Sequence, residues 1–447
     1  MRTSPTFRRS AERTDMHKTE TVTVLPGVRF AYVGTEDYKN ASFAVGFKYK
    51  TKRGASSCDL ILSRLLFRTS ADYPDNRRFS RKLEELYATD LSVQSVRFGD
   101  FRASVFQANF LDDPFAVEIP DFTRAVLSFV AGAILSPASD ENGLFPFEET
   151  EREKRALLDR IRGIRNSKTA YAHARLSELT SDPRFYDVPD YGTEAEAEGV
   201  TPDALRKRYR SMLFRSEICF VYAGSRPMES VLSLVRELFE KILVPRAPLS
   251  GRPRMPRRAP HSPALFVREE TDGEQAMLGL AYRMPTGFAE KGSECVPMLL
   301  AVLSDAPMSL LFSEVREKGG FCYSIRALAK PSERKLFVLC GIAPGTERRV
   351  ERAVSRVLSR IRAGKIDASL LFAALSYVKM TLTTVFESVE ETVGFVLFRL
   401  LFDRRIDPDE LASDAERVTA ETLSEYMKRV KPDAVYLLTP KGEVGNG

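Results

Sequence analysis

The chain has 447 residues, 43% of them hydrophobic and 29% charged, a balance that fits two or more packed globular units and excludes a disordered or fibrous chain. Its 67 basic and 61 acidic residues leave a formal charge of +6, a slight excess over a large surface that implies no nucleic-acid partner. Five scattered cysteines (Cys58, Cys219, Cys295, Cys322, Cys340) with no C-x-x-C pair read as buried thiols of a reducing, cytoplasmic compartment.

Residues 1–18 are rich in Arg, Ser and Thr without an apolar core, a pattern unlike a signal peptide or anchor. Residues 1–20 read as a disordered tail, and Met16 is an alternative start to Met1. Alternating apolar residues predict strands at 28–33 and 42–49, followed by a helix over 56–68. A short helix at 80–87 leads into a strand at 91–97, a turn at Gly99-Asp100 and a strand at 103–110. Amphipathic helices follow at 122–135, 147–165 and 169–180, then a helix at 202–213, a strand at 217–223 and a helix at 228–241.

Residues 244–263 are rich in Pro and Arg and lack acids, so they read as a solvated, semi-rigid linker between domains. Its arginines are Arg246, Arg252, Arg254, Arg257 and Arg258. Beyond it the order of elements repeats: strands at 264–268 and 276–282, a helix at 293–304, and a helix at 310–318 leading to strands at 323–329 and 336–342. Helices at 347–363 and 368–386 follow, and the chain closes on a helix at 420–430 and a strand at 434–438. Neighbouring strands joined by tight turns, with helices grouped elsewhere, predict an α+β protein of two halves, 21–243 and 264–447, each with a mainly antiparallel sheet. The most apolar run, 393–402, spans ten residues, short of the roughly 20 needed to cross a bilayer, so no membrane partner is expected.

No phosphate-binding G-x-x-x-x-G-K-[ST], G-x-G-x-x-G or G-x-S-x-G pattern occurs. Gly319-Gly320 reads as a helix C-cap, and Glu314 and Glu317 as a solvated helix face. The three histidines are separated: His17 in the tail, His173 in a helix and His261 in the linker. Arg316 and Tyr323 stand out, since a guanidinium grips a peptide carbonyl or carboxylate and a phenol donates to developing negative charge. An ordinary helix-end Arg and strand Tyr is the other reading of that pair.

Three stretches carry a family resemblance. Residues 310–325, Leu-Leu-Phe-Ser-Glu-Val-Arg-Glu-Lys-Gly-Gly-Phe-Cys-Tyr-Ser-Ile, are similar to S-x-L-F-x-x-V-R-E-K-x-G-L-x-Y-S; Leu65-Leu66-Phe67 and the helical run 151–161 complete the pattern. Nearly the whole chain after about residue 20 resembles the pitrilysin/insulinase family of zinc metallopeptidases. The resemblance implies two homologous α+β halves of the processing-peptidase-like fold.

Active members of that family bear H-x-x-E-H on the first helix after the opening strands, with a Glu on a later helix as third ligand. Registering on Leu65-Leu66-Phe67 places Leu60 and Arg64 at the histidine positions, Ser63 at the general base and Arg160 at the third ligand, or Asp159 after a shift of one. Leucine has no lone pair and arginine is a permanent cation, so no metal, no cofactor and no catalysis by the chain alone are expected. The resemblance also implies that Arg316 and Tyr323 hold substrate and stabilise the tetrahedral oxyanion.

Some bacterial members divide the site between two chains, which implies a heterodimer with a zinc-bearing paralogue and a peptide substrate. Residues 81–88, 168–172 and Pro344-Gly345 are similar to a Firmicutes branch named YfmF-like, associated with 5-aminopentanol modification of elongation factor P. The expected function is a non-catalytic subunit of a processing peptidase. The alternative is a regulator or scaffold linked to that modification without peptide processing.

Overall fold

The computed structural model describes residues 19–441, apart from 183–189, 248, 250–253, 255–257, 273 and 288–289. Order begins earlier than the polar N-terminal composition suggests: β1 (Thr19–Leu25) pairs antiparallel with β2 (Val28–Gly34). β1 is a Thr-rich edge strand, held by its ladder rather than by burial, which is why its start at 19–20 reads as tail. β3 (Asn40–Lys50), α1 (Ser56–Leu66), α2 (Asn76–Glu85), β4 (Asp90–Phe98) and β5 (Phe101–Leu111) follow. Next come α3 (Phe122–Leu135), α4 (Phe147–Gly163), α5 (Lys168–Leu179), α6 (Glu194–Glu198), α7 (Pro202–Arg215), β6 (Glu217–Gly224) and α8 (Met228–Leu238).

The second half contains β7 (Leu265–Thr271), β8 (Ala276–Arg283) and α9 (Cys295–Leu300), which runs on as a π-helical turn over Ala301–Asp305. A separate π-helical segment, Leu311–Glu317, precedes β9 (Ser324–Lys330) and β10 (Lys335–Ile342). α10 (Glu347–Arg362), α11 (Ala368–Thr384), α12 (Val389–Leu401), α13 (Pro408–Glu416), α14 (Ala420–Lys428) and β11 (Lys431–Pro440) complete the chain.

The repeat seen in the sequence is a repeat of topology. The first sheet runs β1-β2-β6-β3-β5-β4 and the second β7-β11-β8-β10-β9, the same order once β1 is set aside. In each sheet the closing strand inserts beside the opening one as a parallel neighbour, β6 on β2 and β11 on β7, and every other pair is antiparallel. The central strands bury nearly every residue, not alternate ones, because helices cover both faces.

The two compact units do not follow the two sequence halves. One comprises residues up to 158, 191–253 and 384–407; the other comprises 159–190, 254–383 and 408–441. α12, from the second half, packs on β3 and β6, while α5, from the first half, packs on β8, β10 and β11. The run 393–402 is therefore a core helix lying on the first sheet.

Equivalent glycines admit the two exchanged helices. A Cβ on Gly46 in β3 would stand 2.8 Å from Leu401 Cδ1, and one on Gly279 in β8 would stand 2.4 Å from Leu176 Cδ1. Leu176 is buried among Met277, Ala281, Phe337 and Tyr436, so it has little room to retreat. Gly279→Ala is expected to lower stability by about 1–3 kcal/mol through overpacking. Denaturant unfolding checks this, and an unchanged midpoint would contradict the close approach.

The Pro/Arg stretch is anchored at its two described ends, while Arg254 between them is exposed. Arg246 is buried and donates to the carbonyls of Ser216 (2.8 Å) and Ile242 (2.5 Å), while its backbone N–H donates to Pro26 O at 2.8 Å. Prolines remove backbone donors here, and the guanidinium satisfies carbonyls in their place. At the far end Arg258 donates to Asp433 at 2.8 Å. Arg252 and Arg257 lie outside the described residues.

Candidate functional site

The positions matched to H-x-x-E-H lie on α1, whose inner stripe of Ile61, Leu62, Leu65 and Leu66 is buried. Leu60 is half-buried and presents only methyl groups. Ser63 is sealed inside: its hydroxyl donates to Asp59 O at 2.8 Å and lies 3.0 Å from the Ser104 hydroxyl, itself 2.9 Å from Tyr49 Oη. Arg208 donates to both carboxylate oxygens of Asp59 and lies over the Tyr49 ring at 4.2 Å. Arg102 adds a second buried guanidinium, donating to Ser95 Oγ at 2.8 Å and Ser56 Oγ at 3.0 Å. The general-base position is thus part of a packed polar lock.

Arg64 points to an acid that the sequence pattern did not single out. Glu153 on α4, only 1% exposed, lies 2.9 Å from Arg68 Nε and 3.9 Å from Arg64 Nη1. Its signal was a helical stripe: Glu149, Thr150, Glu153 and Leu157 are the inward residues of α4, with Thr150, Glu153 and Leu157 at spacings of three and four. Arg160 and its neighbour Asp159 are exposed further along that helix. Among the described residues no group of three His, Cys, Asp or Glu is placed to hold a metal ion.

In the other unit, Arg316 lies on the π-helical segment Leu311–Glu317, anchored by buried Leu311 and Val315. Its guanidinium stacks over the Phe312 ring at 4.9 Å and is solvent-exposed. Glu314 is not a free solvated acid, because it is part-buried and pairs with Arg360, whereas Glu317 is exposed. The segment ends at the glycines: Gly320, at φ +58°, donates to Arg316 O at 3.0 Å, and Phe321 N donates to Val315 O at 3.1 Å. Glycine's access to positive φ turns the chain towards β9, and just before that strand Tyr323 N donates to Gly341 O at 2.8 Å.

Tyr323 is 61% exposed. Beside it is a depression of about 110 Å3 with walls from Gly320, Phe321, Cys322, Tyr323, Thr346 and Arg349. Arg349 stacks over Phe321 at 4.4 Å. Burial pushes the Cys322 thiol up, and the nearby charge of Arg316 opposes that shift. The cysteine is inert wall material, while the phenol and two guanidinium groups are free to face a ligand.

Residues 199–376 match the family model described as the peptidase M16 inactive domain, M16 being the pitrilysin/insulinase family. Over 94% of the chain and 97% of the relative, the sequence is 21% identical to the "Probable inactive metalloprotease YmfF" of Bacillus subtilis. The chain is thus similar to inactive members of the peptidase M16 family. A conserved protein from Enterococcus faecalis V583 has the same fold, with a TM-score of 0.83 at 21% identity, covering 95% of this chain and 99% of that one. So does a peptidase M16 inactive domain from Pseudomonas fluorescens, with a TM-score of 0.77 at 15% identity over 96% of this chain and 100% of that one.

The two described histidines, His173 and His261, are held by neighbouring side chains. His173 stands edge-on to Phe337 at 4.9 Å, where burial pushes its imidazole down, towards the neutral form. His261 receives its contacts from Asp433 and Arg258. Among the described residues one segment, Ala368–Glu387, is long and apolar enough to cross a membrane by length and composition, with mean hydropathy 1.4 and 22% of the window buried. It contains the helix expected at 368–386, and its exposed side chains include Phe372 and Met380.

Proposed function

We propose that this M16 homologue is the zinc-less subunit of a two-chain cytoplasmic processing peptidase. It binds an extended peptide and presents Arg316 and Tyr323 to the active site of a zinc-bearing paralogue. One contrast carries the reading: the positions of the metal ligands and base are filled by Leu60, Arg64 and a sealed Ser63, while Arg316 and Tyr323 stay exposed on a braced turn. Side chains kept only for folding are ordinarily packed, and a solvent-facing Arg/Tyr pair on a capped, rigid segment suits oxyanion and carbonyl binding.

Co-purification of the tagged chain from its native cells tests this. The expected eluate holds a second, zinc-bearing M16 chain, with peptidase activity in the complex and none in either chain alone. Such a pair buries at least about 1,000 Å2 of surface. A partner complex whose turnover ignores Arg316 would move the function to a regulator or scaffold, the role offered by the resemblance to the elongation factor P branch. A lone, zinc-free, inactive chain refutes the two-chain peptidase.

A further inference from the structure

We infer that the depression beside Tyr323 is a subsite for a carboxylate on a short stem, an acidic side chain or the free C-terminus of the bound peptide, with Arg349 as its cation. The inference rests on the peptide-binding reading above and adds what kind of peptide is chosen.

The argument is one of donors and room. The backbone N–H groups of Gly320, Phe321, Tyr323 and Thr346 already donate to the carbonyls of Arg316, Val315, Gly341 and Ala343. The Thr346 hydroxyl donates to Ala343 O at 2.6 Å. The side-chain N–H and O–H groups of the lining left to meet a ligand are the Tyr323 phenol and the Arg349 guanidinium. Among the described residues no carboxylate stands within ion-pair distance of Arg349, whose contact is the Phe321 ring.

A cation and a hydroxyl donor flanked by two aromatic rings fit an anion carried on an apolar stem. A single water needs only about 10–15 Å3 of such space. The roughly 110 Å3 here therefore takes a carboxylate with its adjoining one or two methylenes. Stacking on Phe321 holds the guanidinium plane in advance, which lowers the ordering cost of binding.

The test is fluorescence anisotropy on the full chain with fluorescein-labelled ten-residue peptides made in matched pairs. One set exchanges Glu for Gln at each position in turn, and the other exchanges a free for an amidated C-terminus. At one position, or at the terminus, the acidic member is expected to bind at least about tenfold tighter. The pair that shows the preference identifies the carboxylate's source.

Arg349→Met keeps an apolar stem over Phe321 and removes the charge. It is expected to erase the preference while leaving the neutral peptide's affinity within about twofold. Arg316→Met is expected to weaken both members of a pair alike. A preference that survives Arg349→Met, or equal binding in every pair, overturns the subsite and leaves the peptide-binding function standing. Failure of every peptide to bind overturns both.

Discussion

Arg316→Ala is expected to lower turnover of the proposed two-chain peptidase by about 10²–10³-fold while the complex stays assembled, the scale of losing one preorganised donor to a tetrahedral oxyanion. The folded chain loses little, because Arg316 is exposed and its contact is the face of Phe312; surface changes of this kind stay within about 0.5 kcal/mol. Tyr323→Phe removes only the phenolic donor and is expected to cut kcat, as for an interaction made in the transition state, with a rise in KM confined to peptides that carry the subsite's carboxylate. Arg316→Lys keeps the charge without the planar fork and recovers activity only in part. Steady-state kinetics on the purified complex, with size-exclusion chromatography to show that it is intact, measure all three. Full turnover in an intact Arg316→Ala complex refutes the assignment.

Asp433→Ala is expected to destabilise the protein by about 3–5 kcal/mol, the cost of leaving a buried charge without its partner. Asp433, 1% exposed, accepts from Arg283 at 2.6 Å, from Arg258 at 2.8 Å and from the His261 backbone N–H at 2.9 Å. Arg283 is itself buried, donating also to Thr180 O at 2.8 Å and Glu333 O at 3.1 Å, so it cannot turn to water. Burial alone pushes the Asp433 carboxyl up, but the His261 N–H and the Arg283 and Arg258 charges outweigh it and hold the group below the usual carboxylate range. A carboxylate depressed in the folded state contributes stability that is fully present above its unfolded value, about 3.9, and is lost as pH falls through the folded value. Thermal melts should therefore show wild type losing stability below about pH 4, with Asp433→Ala already destabilised at pH 7 and losing less on acidification. Asp433→Asn, which keeps the shape and one acceptor, should fall between them. Matching melting curves for the three proteins would contradict the ion cluster.

Asp433 also marks a limit of sequence reading. Residues 434–438 carried the strand pattern, yet β11 begins at Lys431, and its register with β8 slips between Pro432 and Ala434. That irregularity re-aims the residue between them, as bulges do, and sets Asp433 against Arg283 from the adjacent strand. Alternation of apolar residues reports a strand and says nothing of a one-residue slip in pairing. Glu153 is comparable: its inward stripe on α4 was visible, but its meeting with Arg64 and Arg68 of another helix was not. Glu314 was misjudged for the same reason, because its partner Arg360 lies on α10.

By itself the sequence determined the types of the elements it delimited, the internal repeat and the glycine stop after Arg316, and it placed side chains that cannot bind a metal at the positions matched to the family motif. These are local properties: apolar periodicity, backbone freedom and the lone pairs a residue type does or does not possess. Only the tertiary structure decided that α5 and α12 trade sheets, with Gly279 and Gly46 making room, and that the Pro/Arg stretch is anchored through Arg246 and Arg258. An amphipathic helix announces that one face will be buried. Which sheet buries it is settled by contacts between segments hundreds of residues apart, and no local pattern encodes them.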